Sequence, residues 1–550
     1  MSLSSQKHLK LHEKLIETGI KKANNKDFSG AEKDFLKAIK LDKKNPNAYI
    51  NLSNIYIIHK KTNKAVKTLL DYVHKYKNNE KILNHTAKFL YTYNLKKNLL
   101  ELFNLTKLDI NKNYYKNYYL YFIQGLYFEK EEKYQNAKDS FFRSISCNNT
   151  HFDAYVKLLN LYEQTNELIN FNGLIKKGFD NFTSKEKIII LLFYKSLLLS
   201  REKKFKESQK IIIDNNLYVE IKNNKTFFYR LLDLESKNNE KLKNYEQAFQ
   251  KINERNNIIL SLNENKKFDG KKIYNSIDKY KIFFTKKNLH KIYSKINYQN
   301  DENLVFLIGF PRSGTTLLDN ILRSHSEINV LEEKPYLLNL RHDFFKQNNN
   351  YLSSLLNITQ DIKDKIRDKY FEKIFTQISN NKRIIVDKFP LTIIELGFVK
   401  CIFPNAKIIL AMRHPCDVVT SCFFSSFKMN DAMVNFLDWN STIQFYNKVF
   451  DLFEFYSDEM SLSFITIKYE DLIINFRDNV QKITKYIGLE YESNMENFFL
   501  TAKNRSRIST PSYSQVINPL YKTSINRWKN YSNANETLKK LNKWIKIFNY

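Results

Sequence analysis

The run Val305-Phe-Leu-Ile-Gly-Phe-Pro-Arg-Ser-Gly-Thr-Thr316 constrains the fold of this chain more than any other stretch. An apolar segment breaks into a glycine- and hydroxyl-rich turn and continues into Leu317-Leu-Asp-Asn-Ile-Leu322. The first part reads as a buried strand and the last as the opening of an amphipathic helix. A strand, a tight loop and a helix N-terminus aim successive backbone N–H groups at one point, where the helix dipole also favours negative charge. The expectation is a phosphate cradle at the edge of an α/β sheet.

Against the nucleoside-triphosphate template Gly-x-x-x-x-Gly-Lys-Ser/Thr, Gly309 and Gly314 have the required spacing, but Thr315 stands where the lysine should be. That lysine normally reaches the β- and γ-phosphates, so a P-loop kinase or NTPase, the first alternative for this loop, would lack its main electrophilic partner. Arg312, inside the loop, is the replacement cation. A second segment, Lys407-Ile-Ile-Leu-Ala-Met-Arg-His-Pro-Cys-Asp-Val-Val-Thr-Ser-Cys422, again runs from an apolar strand into a helix start. Arg413 lies at the strand's C-terminal end and Ser421 follows about two helical turns later, a pair able to grip a second anionic group. Between the two segments, Arg383-Ile-Ile-Val-Asp-Lys-Phe-Pro390 reads as a third short strand that delivers Lys388 to its C-terminal edge, where open α/β sheets bind ligands.

The Pro311-Arg-Ser-Gly-Thr-Thr316 loop, the Arg413/Ser421 pair and a downstream Tyr469-Glu-Asp-Leu472 resemble the sulfotransferases that use 3′-phosphoadenosine 5′-phosphosulfate (PAPS). Within them the sequence is most similar to the tyrosylprotein sulfotransferases and to bacterial sulfotransferases with N-terminal tetratricopeptide repeats (TPRs). The resemblance runs from about residue 303 to about 530 and takes in Lys388-Phe-Pro390, Phe403-Pro-Asn-Ala-Lys407 and Gln515-Val-Ile-x-Pro519. It implies a P-loop-like α/β domain, a parallel sheet flanked by helices, in which Arg312, Ser313, Gly314, Thr315 and Thr316 wrap the 5′-phosphosulfate. It likewise places Arg413 and Ser421 on the 3′-phosphate, and Tyr469 and Arg527 near the nucleotide. Arg527 stands where the family has a lysine, which keeps the charge but not the geometry. A family arginine twelve residues after the Arg413 position is Ser425 here.

Sulfuryl transfer, like phosphoryl transfer, needs an in-line nucleophile and stabilisation of charge on the transferring group and the leaving oxygen. Positioned cations supply this, and nothing in the chain calls for a metal. A phenolic acceptor, with a pKa near 10, also needs a base at neutral pH. Glu332 and Glu333 are available, and the resemblance puts Glu333 at the catalytic-base position, with Arg312 and Lys388 stabilising the sulfonyl group and bridging oxygen, and Ser512 assisting them. His325 and His414 lack a second ligand at zinc-like spacing. Cys147, Cys401, Cys416 and Cys422 form no Cys-x-x-Cys pair and read as reduced core or near-core thiols.

Before residue 260 the pattern changes to long helical runs with a period near 34. Leu15, Gly19, Ala31, Phe35 and Ala38 fit the TPR template, as do Tyr49, Ser53, Tyr56, Ala65 and Leu69, and again Gly125, Phe128, Ala137, Phe141 and Ser144. Periodicity alone extends helical hairpins through about 79 to 110 and 151 to 220, and Tyr245-Glu-Gln-Ala-Phe249 reads as a last helix. The expected organisation is an all-α TPR solenoid over 1–260, a connecting region with some helix over 261–302 and a sulfotransferase domain over 303–550. Such a solenoid suits a protein or peptide acceptor. A non-catalytic TPR scaffold with a degenerate sulfotransferase half is the second alternative.

The 550 residues exceed what one core usually holds, which supports the division. The formal charge of +31 would suit anionic ligands, but Lys, Asn, Ile, Tyr and Phe are inflated together, the pattern of A/T-rich coding bias. The basic residues form no nucleic-acid motif, so no nucleic-acid partner is expected. Neither a signal peptide nor a membrane span is read from the sequence, which points to the cytoplasm, and a homodimer is compatible with it.

Overall fold

The computed structural model describes residues 3–106, 117–262, 264–294, 301, 303–345, 351–378, 382–503, 516, 518–520 and 523–550. The chain divides into two compact units, Met1–Tyr194 and Lys195–Tyr550.

Helical hairpins build the first unit. The pairs are Leu3–Asn24 with Phe28–Leu41, Pro46–Ile58 with Thr62–Lys75, Glu80–Thr92 with Lys96–Leu105, Tyr118–Lys130 with Tyr134–Cys147, and Phe152–Gln164 with Leu168–Asn181. Small residues set how closely the partners cross: a Cβ on Gly125 would lie 2.5 Å from the Phe141 ring. Asn45, Asn79 and Asn117 cap helix N-termini with their side-chain oxygens. The turn within each hairpin closes in the same way, with a left-handed residue followed by one whose N–H reaches back five residues. The left-handed residues are Lys26, Lys60, Asn94, Glu132 and Asn166, and the returning bonds include Lys61 N to Tyr56 O at 2.8 Å and Leu95 N to Leu90 O at 2.9 Å. This is the Schellman closure, usually completed by glycine. With only 10 glycines in 550 residues, the chain fills the position with Lys, Asn and Glu instead. The hairpins expected between 79 and 110 and from 151 onward are present, although their template residues are degenerate.

The same turn recurs in the second unit at Lys203 and Lys243. The helix Lys185–Arg201, which spans the division, leads to Phe205–Asp214, a short helix Leu217–Ile221, and a further hairpin of Lys225–Lys241 and Tyr245–Ser261. Helices Lys271–Phe283 and Lys286–Tyr293 follow, and their Ile277, Tyr280, Phe284, Leu289 and Ile292 join the main hydrophobic core of the α/β fold.

That fold is a five-stranded, all-parallel sheet of β1 (Leu304–Gly309), β2 (Ile328–Glu332), β3 (Ile384–Lys388), β4 (Lys407–Met412) and β5 (Ile465–Lys468), in the order β2-β3-β1-β4-β5. Continuous apolar strands such as Leu304-Val-Phe-Leu-Ile308 belong in a sheet covered on both faces. Leu304, Phe306, Ile308, Leu410 and Met412 enter one core, while Val305, Leu307, Val386, Ile409 and Ile467 enter the other, against the loop helix Thr315–Arg323. The chain moves to one side of β1 for β2 and β3, then to the other for β4 and β5. The crevice at the C-terminal end of β1 is therefore a topological switch point. Of the four cysteines, Cys401, Cys416 and Cys422 are buried, whereas Cys147 is exposed, against the expectation that all four lie in or near a core.

Among the described residues, no helix is long and apolar enough to cross a membrane.

Candidate active site at the carboxyl edge of the sheet

The loop after β1 turns through two left-handed residues, Arg312 at φ 71° and Gly314 at φ 100°. A side chain on Gly314 would meet the Tyr469 ring at 3.0 Å, so backbone freedom and space both select glycine there. An arginine in this conformation costs about 1 to 2 kcal/mol and persists only where its surroundings impose it. Ser313, Thr315 and Thr316 are buried at the N-terminus of the loop helix.

The second anion motif reaches the same point. The Nε of Arg312 donates to Ser421 Oγ at 3.0 Å across 109 positions of sequence, and Arg413 Nη1 donates to the Arg312 carbonyl at 3.4 Å. Ser421 lies on the helix Pro415–Phe423, whose Cys422 thiol contacts the Pro311 carbonyl at 3.2 Å. Arg413 is 6% exposed; its Nη2 donates to the Ser524 carbonyl at 2.5 Å, and its guanidinium covers the Tyr469 ring at 5.1 Å. Tyr469 in turn donates to Ser524 Oγ at 3.2 Å. The structure thus gathers Arg312, Ser313, Gly314, Thr315, Thr316, Arg413, Ser421 and Tyr469 into one place. Two buried polar atoms there, Ser313 Oγ and Arg413 Nε, have no hydrogen-bond partner among the described residues.

The third group sits beside the loop helix. Lys388 ends β3, in register with Leu307 of β1 and Glu332 of β2. Strand alternation turns Asp387 to one face and Lys388 to the other, toward the loop helix. Lys388 is fully buried, with its Nζ 2.9 Å from Glu333 Oε1, 3.6 Å from Glu332 Oε1 and 3.8 Å from Asp319 Oδ2. Burial works against its charge, but Glu333, Asp319 and Glu332 outweigh it and raise the lysine's pKa. Glu333 is itself left-handed, at φ 49°, and donates its N–H to the Lys388 carbonyl at 2.8 Å, so the turn after β2 brings its carboxylate to the lysine. With 31% of its side chain exposed, Glu333 is the open member of the group.

Arg527 pairs its Nε and Nη2 with Glu240 of the helix Lys225–Lys241, the latter at 2.9 Å from Glu240 Oε2. Ser512 lies outside the described residues. His325 and His414 both make structural contacts: His325 Nδ1 accepts the Glu327 N–H at 3.0 Å, and His414 Nδ1 accepts that of Cys416 at 3.3 Å.

Sequence reasoning missed Asp319, Glu240 and Arg255. Asp319 had a readable signal, four residues after Thr315 and so on one face of the helix that starts the cradle. The other two follow from the scarcity of arginine, which accounts for fourteen of the 89 basic residues. In so lysine-rich a chain, an arginine within a helical run marks a place where a planar fork is needed, and Arg255 is 0% exposed.

Residues 305–493 match the model of the Sulfotransferase family. An uncharacterised protein of Aquifex aeolicus is 23% identical over 300 residues, which cover 53% of this chain and 38% of that protein. Protein-tyrosine sulfotransferase A of Caenorhabditis elegans is 24% identical over 251 residues, or 44% of this chain and 64% of that protein. The chain thus spans less than two thirds of either relative's length. The solved sulfotransferase domain of a Synechococcus olefin synthase is 19% identical and aligns over 46% of this chain and 98% of its own, with a TM-score of 0.33. The stretch from β1 through β5, which carries the loop, Glu333, Lys388, Arg413, Ser421 and Tyr469, is a sulfotransferase-like domain preceded in the chain by a helical-repeat region.

Proposed function

We propose that this chain transfers the sulfuryl group of PAPS to an acceptor hydroxyl, with a protein tyrosine as the favoured acceptor. The observation that carries the reading is the Arg312 to Ser421 hydrogen bond, which joins two anion-binding motifs into one site suited to a nucleotide with phosphates at both ends. Ser313 Oγ and Arg413 Nε are buried there without partners among the described residues, and a buried donor left unpaired costs about 1 to 3 kcal/mol. Both fit a site completed by anionic acceptors. The loop N–H groups, Ser313, Thr315, Thr316 and Arg312 would hold the 5′-phosphosulfate, and Arg413 and Ser421 the 3′-phosphate, with Tyr469 alongside. PAPS, when bound, supplies the sulfuryl group and leaves as adenosine 3′,5′-bisphosphate.

The chain's own residues divide the remaining work. Lys388 holds positive charge where the bridging oxygen would carry a developing negative one, and its raised pKa keeps it protonated at neutral pH. Arg312 holds charge on the loop side. Glu333 accepts the acceptor's proton at its carboxylate while Lys388 fixes its orientation through Oε1. Thr315 in place of the P-loop lysine favours this assignment over ATP chemistry. The helical-repeat region would engage the acceptor protein.

The test is incubation with radiolabelled PAPS and tyrosine-containing peptides, alongside equilibrium binding of adenosine 3′,5′-bisphosphate and of ATP. Glu333→Ala should abolish transfer and leave bisphosphate binding intact. A Glu333→Ala protein as active as the parent would remove the base assignment, and preference for ATP over the bisphosphate would refute the donor.

A further inference from the structure

We propose that the last helical hairpin, Lys225–Lys241 and Tyr245–Ser261, is a working part of the nucleotide site, with Glu240 and Arg255 acting as positioning residues for the 3′-phosphate grip. The inference rests on the PAPS reading for the identity of the ligand.

The hairpin reaches the grip by two routes. Arg255 lies in the second helix, and its fork points at the C-terminus of Pro415–Phe423, the helix that carries Ser421. Its Nη2 donates to the Phe423 carbonyl at 3.0 Å and the Ser425 carbonyl at 3.4 Å, and its Nη1 to the Phe424 carbonyl at 3.2 Å. The last carbonyls of a helix have no intrahelical partner and carry the negative end of the dipole, so a buried guanidinium there both satisfies and neutralises them. The arginine is itself held in place. Asp233, on the first helix of the hairpin, accepts from Nη1 at 2.7 Å, and Asn256 Oδ1 accepts from Nε at 3.0 Å and Nη2 at 2.7 Å. Although burial opposes its ionisation, Lys237 and Arg255 bring the Asp233 pKa down to about 2.

The second route runs through Glu240, which grips Arg527. Arg527 belongs to the turn Ser524–Trp528, whose backbone is pinned to the other end of the same helix: the Asn526 and Trp528 N–H groups donate to Asp417 at 2.8 and 3.0 Å, and the Trp528 ring stacks on His414 at 5.2 Å. That turn also presents the Ser524 carbonyl that aims Arg413. Between the two routes, Phe249 of the hairpin packs on Phe423 at 5.4 Å, and the Arg527 guanidinium covers Phe424 at 4.7 Å. One hairpin therefore fixes both ends of the helix bearing Ser421 and the turn that orients Arg413.

This arrangement makes a selective prediction, because Arg413 and Ser421 are the side chains assigned to the 3′-phosphate. The probes are adenosine 3′,5′-bisphosphate and adenosine 5′-monophosphate, titrated against the full chain and its Glu240→Gln, Arg255→Lys and Arg255→Met forms. The parent should prefer the bisphosphate. Losing an aligned, charge-assisted grip should cut that preference by about ten-fold or more in Glu240→Gln and Arg255→Met, with monophosphate affinity within about three-fold. Arg255→Lys should fall with Arg255→Met, since a lysine cannot fork across several carbonyls. Exchanging the pair, Glu240→Arg with Arg527→Glu, should restore part of the preference lost in Glu240→Gln. Should Arg255→Met fail to fold, Glu240→Gln, which changes only one oxygen of a partly exposed pair, decides the matter. Full retention of the preference in folded Glu240→Gln and Arg255→Lys, or equal loss of both nucleotides, overturns the positioning role and leaves the PAPS reading standing. A parent that binds neither nucleotide overturns both.

Discussion

Replacing Lys388 by methionine tests the charge arrangement independently of any activity. The substitution keeps the bulk of the side chain and removes one buried cation from among three carboxylates at 2.9, 3.6 and 3.8 Å. At an effective dielectric of about 20, each of these contacts is worth roughly 4 to 6 kcal/mol of gross Coulomb attraction. Desolvation offsets most of it, and breaking a buried pair from one side typically costs about 3 to 5 kcal/mol. Arg323, which donates to Asp319 Oδ1 at 3.0 Å, still balances one of the three charges, so the lower part of that range is expected at pH 7. The loss should depend on pH with a definite sign. Without the lysine, the crowded carboxylates bind protons more readily when folded than when unfolded, so the variant's deficit should shrink as pH falls from 7 toward 4. All three tryptophans, Trp439, Trp528 and Trp544, lie in the second unit, so denaturant unfolding followed by tryptophan fluorescence reports on that unit. A second substitution, Asp319→Asn on the Lys388→Met background, should recover part of the loss. A deficit that is constant from pH 4 to 7, or unaffected by Asp319→Asn, would refute the view that the three carboxylates are held together by Lys388.

Three other outcomes are expected. Burial pushes the Asp387 carboxyl up to about 6 against the opposing hydrogen bond from Tyr370 and charge of Lys388. Its folded form therefore binds extra protons between its ordinary pKa and 6, and its contribution to stability falls as pH rises through that window; Asp387→Asn should become more stable than the parent by up to about 3 kcal/mol above pH 6, and the advantage should vanish near pH 4 in the same unfolding assay. Gly314→Ala would force a side chain into φ 100° and against Tyr469, so it should weaken bisphosphate binding by at least about ten-fold and cost about 1 to 2 kcal/mol of stability, read by calorimetric titration and thermal unfolding. In the helical-repeat unit, Gly125→Ala should cost about 1 to 3 kcal/mol through collision with Phe141, followed by circular dichroism on heating.

The sequence made the elements of the site readable, but not all their connections. Strand, loop and helix at 305–322, and strand and helix at 407–422, could be seen because apolar runs and turn residues alternate sharply there. The contact between Arg312 and Ser421 could not, because it depends on β1 and β4 being neighbours, and strand order is a property of the whole sheet. Lys388 could be placed at a strand end, yet its three carboxylates come from the loop helix, β2 and the turn after it. The hairpin periodicity was legible wherever small residues mark a close crossing. It faded at about 79 to 110 and 151 to 220, where the template residues are degenerate although residues such as Leu158 and Leu174 are buried. The pairing of Arg527 could not be read either, because its partner, Glu240, lies 287 positions away on what reads as an ordinary solvated helix face.

The hairpin of Lys225–Ser261 also bears on how such a chain can change in length. Repeat arrays gain and lose whole hairpins readily, since each unit makes its principal contacts with its neighbours. The Lys225–Ser261 unit is not interchangeable in that way: Glu240, Arg255 and Phe249 are complementary to particular groups of the α/β fold, and a consensus hairpin in their place would present none of them. Deletions or insertions that keep this unit would leave Arg527 and the carbonyl end of the Ser421 helix supported, whereas one that removes it would withdraw both supports at a single stroke. The last hairpin is the fixed point from which the length of the array is counted.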